Sequence, residues 1–142
     1  MKDKIISGLI KNETKRQSET VNLIASENYV SKETLVALGS PLTNKYAEGY
    51  SRARYYRGNF FIDKIEDLAK ERALKLFLTA KERDNWGVNV QALSGSPANL
   101  AVYLALVPLH EKIMGLELAM GGHLTHCHPV SATGKIWKQI PY

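Results

Sequence analysis

The tightest constraint in this 142-residue chain is the run from Val88 to Leu116. Val88-Asn89-Val90-Gln91-Ala92-Leu93 reads as a strand and Ser94-Gly95-Ser96-Pro97 as a turn. Ala98 to Val107 reads as a helix stopped by Pro108, Lys112 to Leu116 as a second strand, and Ile136 to Ile140 as a third. Strand, helix, strand in that order is the pattern of a parallel βαβ unit, which makes the fold class α/β. The helix is apolar nearly all round, and such helices are expected to be buried. Parallel sheets normally have both faces covered and several neighbours, so two or three strands are a poor end point. The sheet is expected to be incomplete within this chain.

Upstream, Ile5, Ile6, Leu9 and Ile10 fall at helical spacing in a segment that turns polar by Lys15 and Arg16. Val21 to Ile24 reads as extended. Ser31 is a fitting N-cap and Gly39 a fitting stop for a helix whose apolar face is Leu35, Val36 and Leu38. From Leu42 to Gly58 no period is visible, and long irregular stretches inside a domain are often functional. Asn59 suits the start of a strong helix with Phe61, Ile65, Leu68 and Leu76 on one face. Its acids Asp63, Glu66 and Asp67 come early and Lys75 late, as the helix dipole prefers.

Composition narrows the partners. Lys plus Arg is 19 and Asp plus Glu 14, a net charge of +5 that suits a small anionic ligand without demanding nucleic acid or membrane. Cys127 is the only cysteine, so neither an intrachain disulfide nor an all-cysteine metal site can form. No apolar run approaches the roughly 20 residues needed to span a bilayer. The first residues also lack the long apolar core of a secretory signal. A soluble, reducing, cytoplasmic setting is the expectation.

Four places carry chemistry-bearing residues. At Ser94-Gly95-Ser96-Pro97-Ala98-Asn99, two hydroxyls and the open N–H groups of a helix start converge, as a phosphate seat requires. The plainer alternative is a strand–turn–helix capped by Ser96, with Pro97 at the first helical position. Gly121-Gly122-His123-Leu124-Thr125-His126-Cys127-His128 holds enough imidazoles for a metal, but its spacing fits neither a zinc finger nor an HExxH helix. A histidine that packs on a ring or holds a turn fits better. Arg52-Ala53-Arg54-Tyr55-Tyr56-Arg57 interleaves cations and aromatics, as single-strand nucleic-acid binders do, yet one short cluster leaves that reading a minor one. Glu48 lies between Tyr46 and Tyr50, and a carboxyl desolvated by aromatics can serve as acid or base. On its own it is more simply a solvated loop residue.

Taken together, these segments resemble serine hydroxymethyltransferases. The resemblance rests on Leu23-Ile24-Ala25-Ser26-Glu27-Asn28-Tyr29, Leu42 to Tyr50, Arg54-Tyr55-Tyr56, Asn89-Val90-Gln91, Ser94 to Asn99 and Gly121 to His126. These runs occur in the family's order and cover nearly the whole chain. The resemblance implies the aspartate-aminotransferase type (fold type I) of pyridoxal-phosphate large domain, beginning at residue 42 and preceded by a helical arm over residues 1–41. It implies pyridoxal 5'-phosphate as cofactor and tetrahydrofolate as cosubstrate in exchanging a one-carbon unit between serine and glycine. By resemblance, Ser94, Gly95 and Ser96 would hold the cofactor phosphate, His123 would stack on its ring, and Tyr46 would reach the phosphate region. Ser26 and Tyr56 would bind the amino-acid carboxylate, Glu48 would manage a proton near the hydroxymethyl group, and Leu118 and Gly122 would border the folate. Tyr46, Glu48 and Tyr56 would serve a neighbouring subunit's site, which implies a homodimer or tetramer.

Several residues depart from the family's pattern. Ser51 and Arg52 stand where Pro-Gly is usual, Arg57 replaces a glycine, and Ala92-Leu93 replaces Pro and an aromatic residue. Cys127 takes a glycine position, so strain is expected if the turn there needs positive φ. The sequence ends at Tyr142, before the lysine that carries the cofactor, the aspartate facing the pyridine nitrogen and the arginine for the substrate carboxylate. Three alternatives follow: a fragment of the enzyme, a truncated product, or a non-catalytic relative that pairs with full-length subunits. These residues alone are expected to be inactive and to associate through exposed apolar surface.

Overall fold

A computed structural model describes residues 2–142. The chain divides into two units, one up to Glu48 and one from Gly49 onward.

The first unit is helical. Helix α1 (Lys4–Glu19) starts where the Asp3 carboxylate accepts the N–H groups of Ile5 and Ile6 at 2.9 and 3.1 Å. That cap supplies partners for two of the four donors left open at any helix start. Ile5, Ile6, Leu9 and Ile10 lie on α1 as their spacing predicts, and all four remain exposed. Residues 21–24 belong to no helix or strand. Helix α2 (Lys32–Leu38) has the expected ends: Ser31 accepts the Thr34 N–H through its hydroxyl, and Gly39 closes the helix. A 3-10 turn over Pro41–Asn44 follows.

The second unit opens with order where none was visible in the sequence. Strands β1 (Gly49–Tyr50) and β2 (Ala53–Arg54) form a tight antiparallel hairpin, with Gly49 opposite Arg54 and Tyr50 opposite Ala53. Two-residue strands have no period to read, so the hairpin escaped detection. Its turn holds Arg52 at φ +64°, left-handed backbone at a position where the family pattern has glycine. Helix α3 (Phe60–Phe77) follows Asn59, but that residue does not cap through its side chain. Its amide instead donates to the Tyr56 carbonyl at 2.9 Å, and Asn59 is buried.

Two expectations fail between Val88 and Val107. Residues 88–93 form no strand, because no described strand lies beside them. The Gln91 N–H, which a ladder would have used, donates to the Asn89 side chain at 2.8 Å. Helix α4 (Gly95–Leu106) starts earlier than expected. Ser94 occupies the cap position and Pro97 the third helical position, where a missing N–H still costs no intrahelical bond. Nor is α4 buried: Val102, Leu104 and Leu106 are 51–76% exposed. No described element covers that face.

The parallel pairing exists, one crossover later than predicted. Strand β3 (Lys112–Gly115) pairs in parallel with β4 (Lys138–Pro141), Lys112 opposite Lys138 and Gly115 opposite Pro141. A 3-10 turn over Leu118–Met120 and helix α5 (Ala132–Ile136) lie between them. The core of this unit is small and centred on Trp137, placed by the sequence reading in the third strand but found at the end of α5. Its indole N–H donates to the carbonyls of Val107 and Pro108, and its ring meets Tyr103 edge-on at 5.7 Å. Cys127 and Thr133 are buried with it. Burial pushes the Cys127 thiol up, although the Thr133 hydroxyl works against that. Cys127 has φ +65°, the left-handed conformation expected where it replaces glycine.

Candidate functional site

The start of α4 is open. Ala98 is already tied to the Ser94 carbonyl at 3.2 Å, which leaves the N–H groups of Gly95 and Ser96 facing outward. The Ser94 side chain makes no capping bond, and Ser94, Gly95 and Ser96 are all exposed. Nothing lies within 4 Å of where a Cβ on Gly95 would sit. Two uncommitted hydroxyls, two amide donors and the positive end of a 12-residue helix make a donor set that matches a dianionic phosphate. Ser94, not Ser96, thus holds the cap position, and Ser96 is the second residue of the helix.

The loop after β3 comes to the same place. Ser96 and Pro97 line one concavity of about 360 Å³ together with Leu124, Thr125, Ser131 and Thr133. His123, two residues from Thr125, is exposed but fixed at one edge. Its Nδ1 lies 2.7 Å from the Thr125 hydroxyl and accepts the Thr125 N–H at 3.2 Å. Thr125, 6% exposed, accepts in turn from the side-chain amide of Asn99 on α4 at 2.7 Å. The other imidazoles hold turns: His126 Nδ1 accepts the His123 N–H at 3.1 Å, and His128 Nδ1 accepts the Val130 N–H at 3.4 Å. Among the described residues no three His, Cys, Asp or Glu side chains gather as a metal site would need.

Leu118 starts the 3-10 turn and is exposed. Gly122 is held in the same loop by donating its N–H to the Glu117 carbonyl at 2.9 Å. A Cβ there would fall 1.9 Å from the Leu116 carbonyl oxygen, so only glycine fits this approach. Tyr56 follows the hairpin and is 54% exposed. Ser26, Tyr46 and Glu48 belong to the first unit, Ser26 in a turn and all three exposed. Glu48 is thus not desolvated by its sequence neighbours as the flanking aromatics led us to expect.

An ion-pair cluster missed by the sequence reading anchors the hairpin. The Arg54 side chain, 4% exposed, donates from Nε to Asp63 at 2.8 Å, from Nη2 to Glu66 at 2.5 Å and from Nη1 to the Gly49 carbonyl at 2.6 Å. Gln91 reaches the same Gly49 carbonyl at 2.8 Å and Glu66 at 3.1 Å, tying the approach to α4 to the hairpin and α3. Asp63 and Glu66 sit three apart on one face of α3, which was the available signal; their early position had been read only as dipole matching. The Arg54 guanidinium and the Arg52 N–H hold the Asp63 carboxyl below its usual range. Burial alone would raise Glu66, but bonds from Lys70, Arg54 and Gln91 outweigh it and hold the carboxyl at about 2 against an ordinary 4.5.

A carboxyl depressed in the folded state adds stability that is complete above its unfolded value and lost as pH falls through the folded one. The thermal midpoint of the chain should therefore drop between pH 4.5 and about 2. Glu66→Gln should flatten that part of the profile. Parallel profiles for the two proteins would show that Glu66 is not responsible.

Comparison with known proteins identifies the family. The serine hydroxymethyltransferase family model matches residues 1–142. A serine hydroxymethyltransferase of Acidothermus cellulolyticus is 54% identical across 99% of this chain, which corresponds to 31% of that protein. A cytosolic serine hydroxymethyltransferase of Saccharomyces cerevisiae is 50% identical across 99% of the chain and 30% of its own length. A protein of Neurospora crassa named as a putative mitochondrial serine hydroxymethyltransferase is 51% identical, with 26% of its length covered. The chain spans about 30% of the length of the curated relatives it matches. With the family model matched from end to end, the chain belongs to the serine hydroxymethyltransferase family.

Proposed function

We propose that these residues form the phosphate-holding part of a pyridoxal-phosphate-dependent hydroxymethyltransferase. The complete subunit interconverts serine plus tetrahydrofolate with glycine plus 5,10-methylenetetrahydrofolate. The observation that carries this reading is the open start of α4, with the Ser94 and Ser96 side chains uncommitted and the Gly95 and Ser96 N–H groups facing outward. Ser94, Gly95 and Ser96 hold the cofactor phosphate there. When bound, the cofactor supplies the electron-accepting ring on which the serine Cα–Cβ bond is broken.

The other roles belong to this chain's own side chains. His123 covers one ring face, which suits an exposed imidazole fixed at a single edge. Ser26 and Tyr56 bind the amino-acid carboxylate, and Tyr46 reaches the phosphate region. Glu48 holds and moves a proton at the hydroxymethyl oxygen, while Leu118 and Gly122 border the folate. Tyr46, Glu48 and Tyr56 act at the neighbouring subunit's site, so the working unit is a homodimer or a tetramer. In this reading residues 1–41 are a helical arm and residues 42–142 the first part of a fold type I large domain. The setting is the cytoplasm, and no helix among the described residues is long and apolar enough to cross a membrane.

The test is a pyridoxal 5'-phosphate titration of full-length subunits carrying this segment. Replacing both Ser94 and Ser96 by alanine should weaken binding roughly 10²–10⁴-fold, the worth of two hydrogen bonds to a charged group. Unchanged affinity would place the phosphate elsewhere and sink the assignment.

A further inference from the structure

Thr125 and Asn99 have no role in the reading above, yet a hydrogen bond between their side chains links α4 to the His123 loop. The link has a direction. The Asn99 amide nitrogen can only donate, so the Thr125 oxygen accepts at 2.7 Å and keeps its own proton to give. That proton goes to His123 Nδ1, also at 2.7 Å. The Thr125 backbone N–H is aimed at the same nitrogen at 3.2 Å. A proton on Nδ1 would point at that backbone donor, which cannot turn away, so the neutral ring carries its proton on Nε2. Both contacts on Nδ1 come from one residue, which fixes the plane of the ring as well as its tautomer. Thr125 is buried, whereas His123 is exposed. The bonded edge is thus shielded from competing water, and the rest of the ring stays open.

We propose that Thr125, oriented by Asn99, is a positioning residue that presents His123 as a single Nε2–H tautomer in a single plane, aligned to the helix that seats the phosphate. Asn99 lies one turn along α4 from Ser96, so any shift of the helix start moves the ring with it. The importance of this alignment rests on the reading that His123 covers the cofactor ring; the network itself does not. An imidazole fixed before the ligand arrives loses little freedom on stacking.

The experiment is magic-angle-spinning 15N spectroscopy of the 142-residue chain labelled at histidine, with no cofactor present. His123 is assigned by its disappearance in His123→Asn. The wild-type ring should show one neutral tautomer, Nε2–H, and restricted ring motion. Thr125→Val keeps the shape and the backbone donor but removes the hydroxyl. It should raise the Nδ1–H to Nε2–H ratio roughly fivefold, the factor a typical net hydrogen bond is worth, and loosen the ring. Thr125→Ser should restore both. Asn99→Asp is the second variant: its carboxylate takes the Thr125 proton, withdraws it from His123 and should change the spectrum in the same direction as Thr125→Val. A wild-type ring in mixed tautomers overturns the proposal. So does a Thr125→Val spectrum like wild type, or a Thr125→Ser spectrum like Thr125→Val. Failure of the phosphate seat would appear in the cofactor titration and leave these spectra unchanged, so the two readings fail separately.

Discussion

Glu48→Gln, placed in full-length subunits carrying this segment, should lower folate-dependent turnover by ~10²–10⁴-fold, as expected when a positioned acid or base is lost. The substitution keeps the shape and the hydrogen-bonding reach of the side chain and removes only proton exchange. Pyridoxal 5'-phosphate and serine should bind almost normally, because the start of α4, the ring of His123 and the carboxylate contacts are untouched. Glu48 is exposed in the first unit of this chain, so the effect should require assembled subunits. The informative comparison sets cofactor binding, serine binding and turnover side by side. Unchanged turnover would reduce Glu48 to a loop residue, and loss of cofactor binding would make its role structural.

A large loss of stability should come from Gly134→Ala. A Cβ on Gly134 would lie 2.1 Å from the His128 carbonyl oxygen and 2.7 Å from that of Cys127. Those atoms are backbone and have no side-chain freedom with which to yield. Helix α5 would have to lift from the loop below it, taking Trp137 and Thr133 out of the small core. The cost should exceed the ~1–3 kcal/mol typical of overpacking, enough to abolish cooperative unfolding. Gly8→Ala is the control. Gly8 lies in the middle of α1 with nothing within 4 Å of its would-be Cβ, so alanine should stabilise that helix by about 0.5–1 kcal/mol. Urea melts of the two variants measured together would decide. Equal behaviour would mean that the α5 loop adjusts freely.

The parts of this fold legible in the sequence were those governed by local chemistry. Ser31 and Gly39 bound α2 as their capping preferences require, and the spacing of Ile5, Ile6, Leu9 and Ile10 gave α1. What depends on distant partners was misread. Val88 to Leu93 has strand composition, but a strand exists only beside another strand. The helix α4 has buried composition, but no described layer covers it. At the site, Ser94 to Ser96 stood out because hydroxyls and glycine at a helix start suit a phosphate, although the same residues also serve as ordinary caps. Thr125 and Asn99 lay within quoted motifs without a role, since 26 residues separate them and only the folded loop brings them together. Arg54 was read as part of a basic cluster, although its charge is consumed internally by Asp63 and Glu66.

The parallel pair β3–β4 leaves each strand with one outer edge that no described residue pairs. Such an edge is a ready template for another chain, and nothing about it distinguishes the correct neighbour from a second copy of itself. Capture by further strands of the same subunit would be a first-order event, set by how soon those strands arrive. Capture by another copy is second-order and grows with concentration. The fate of this segment during folding is therefore a race between two reactions of different kinetic order. Dilution would then favour pairing within one subunit without changing a single contact in the β3–β4 pair.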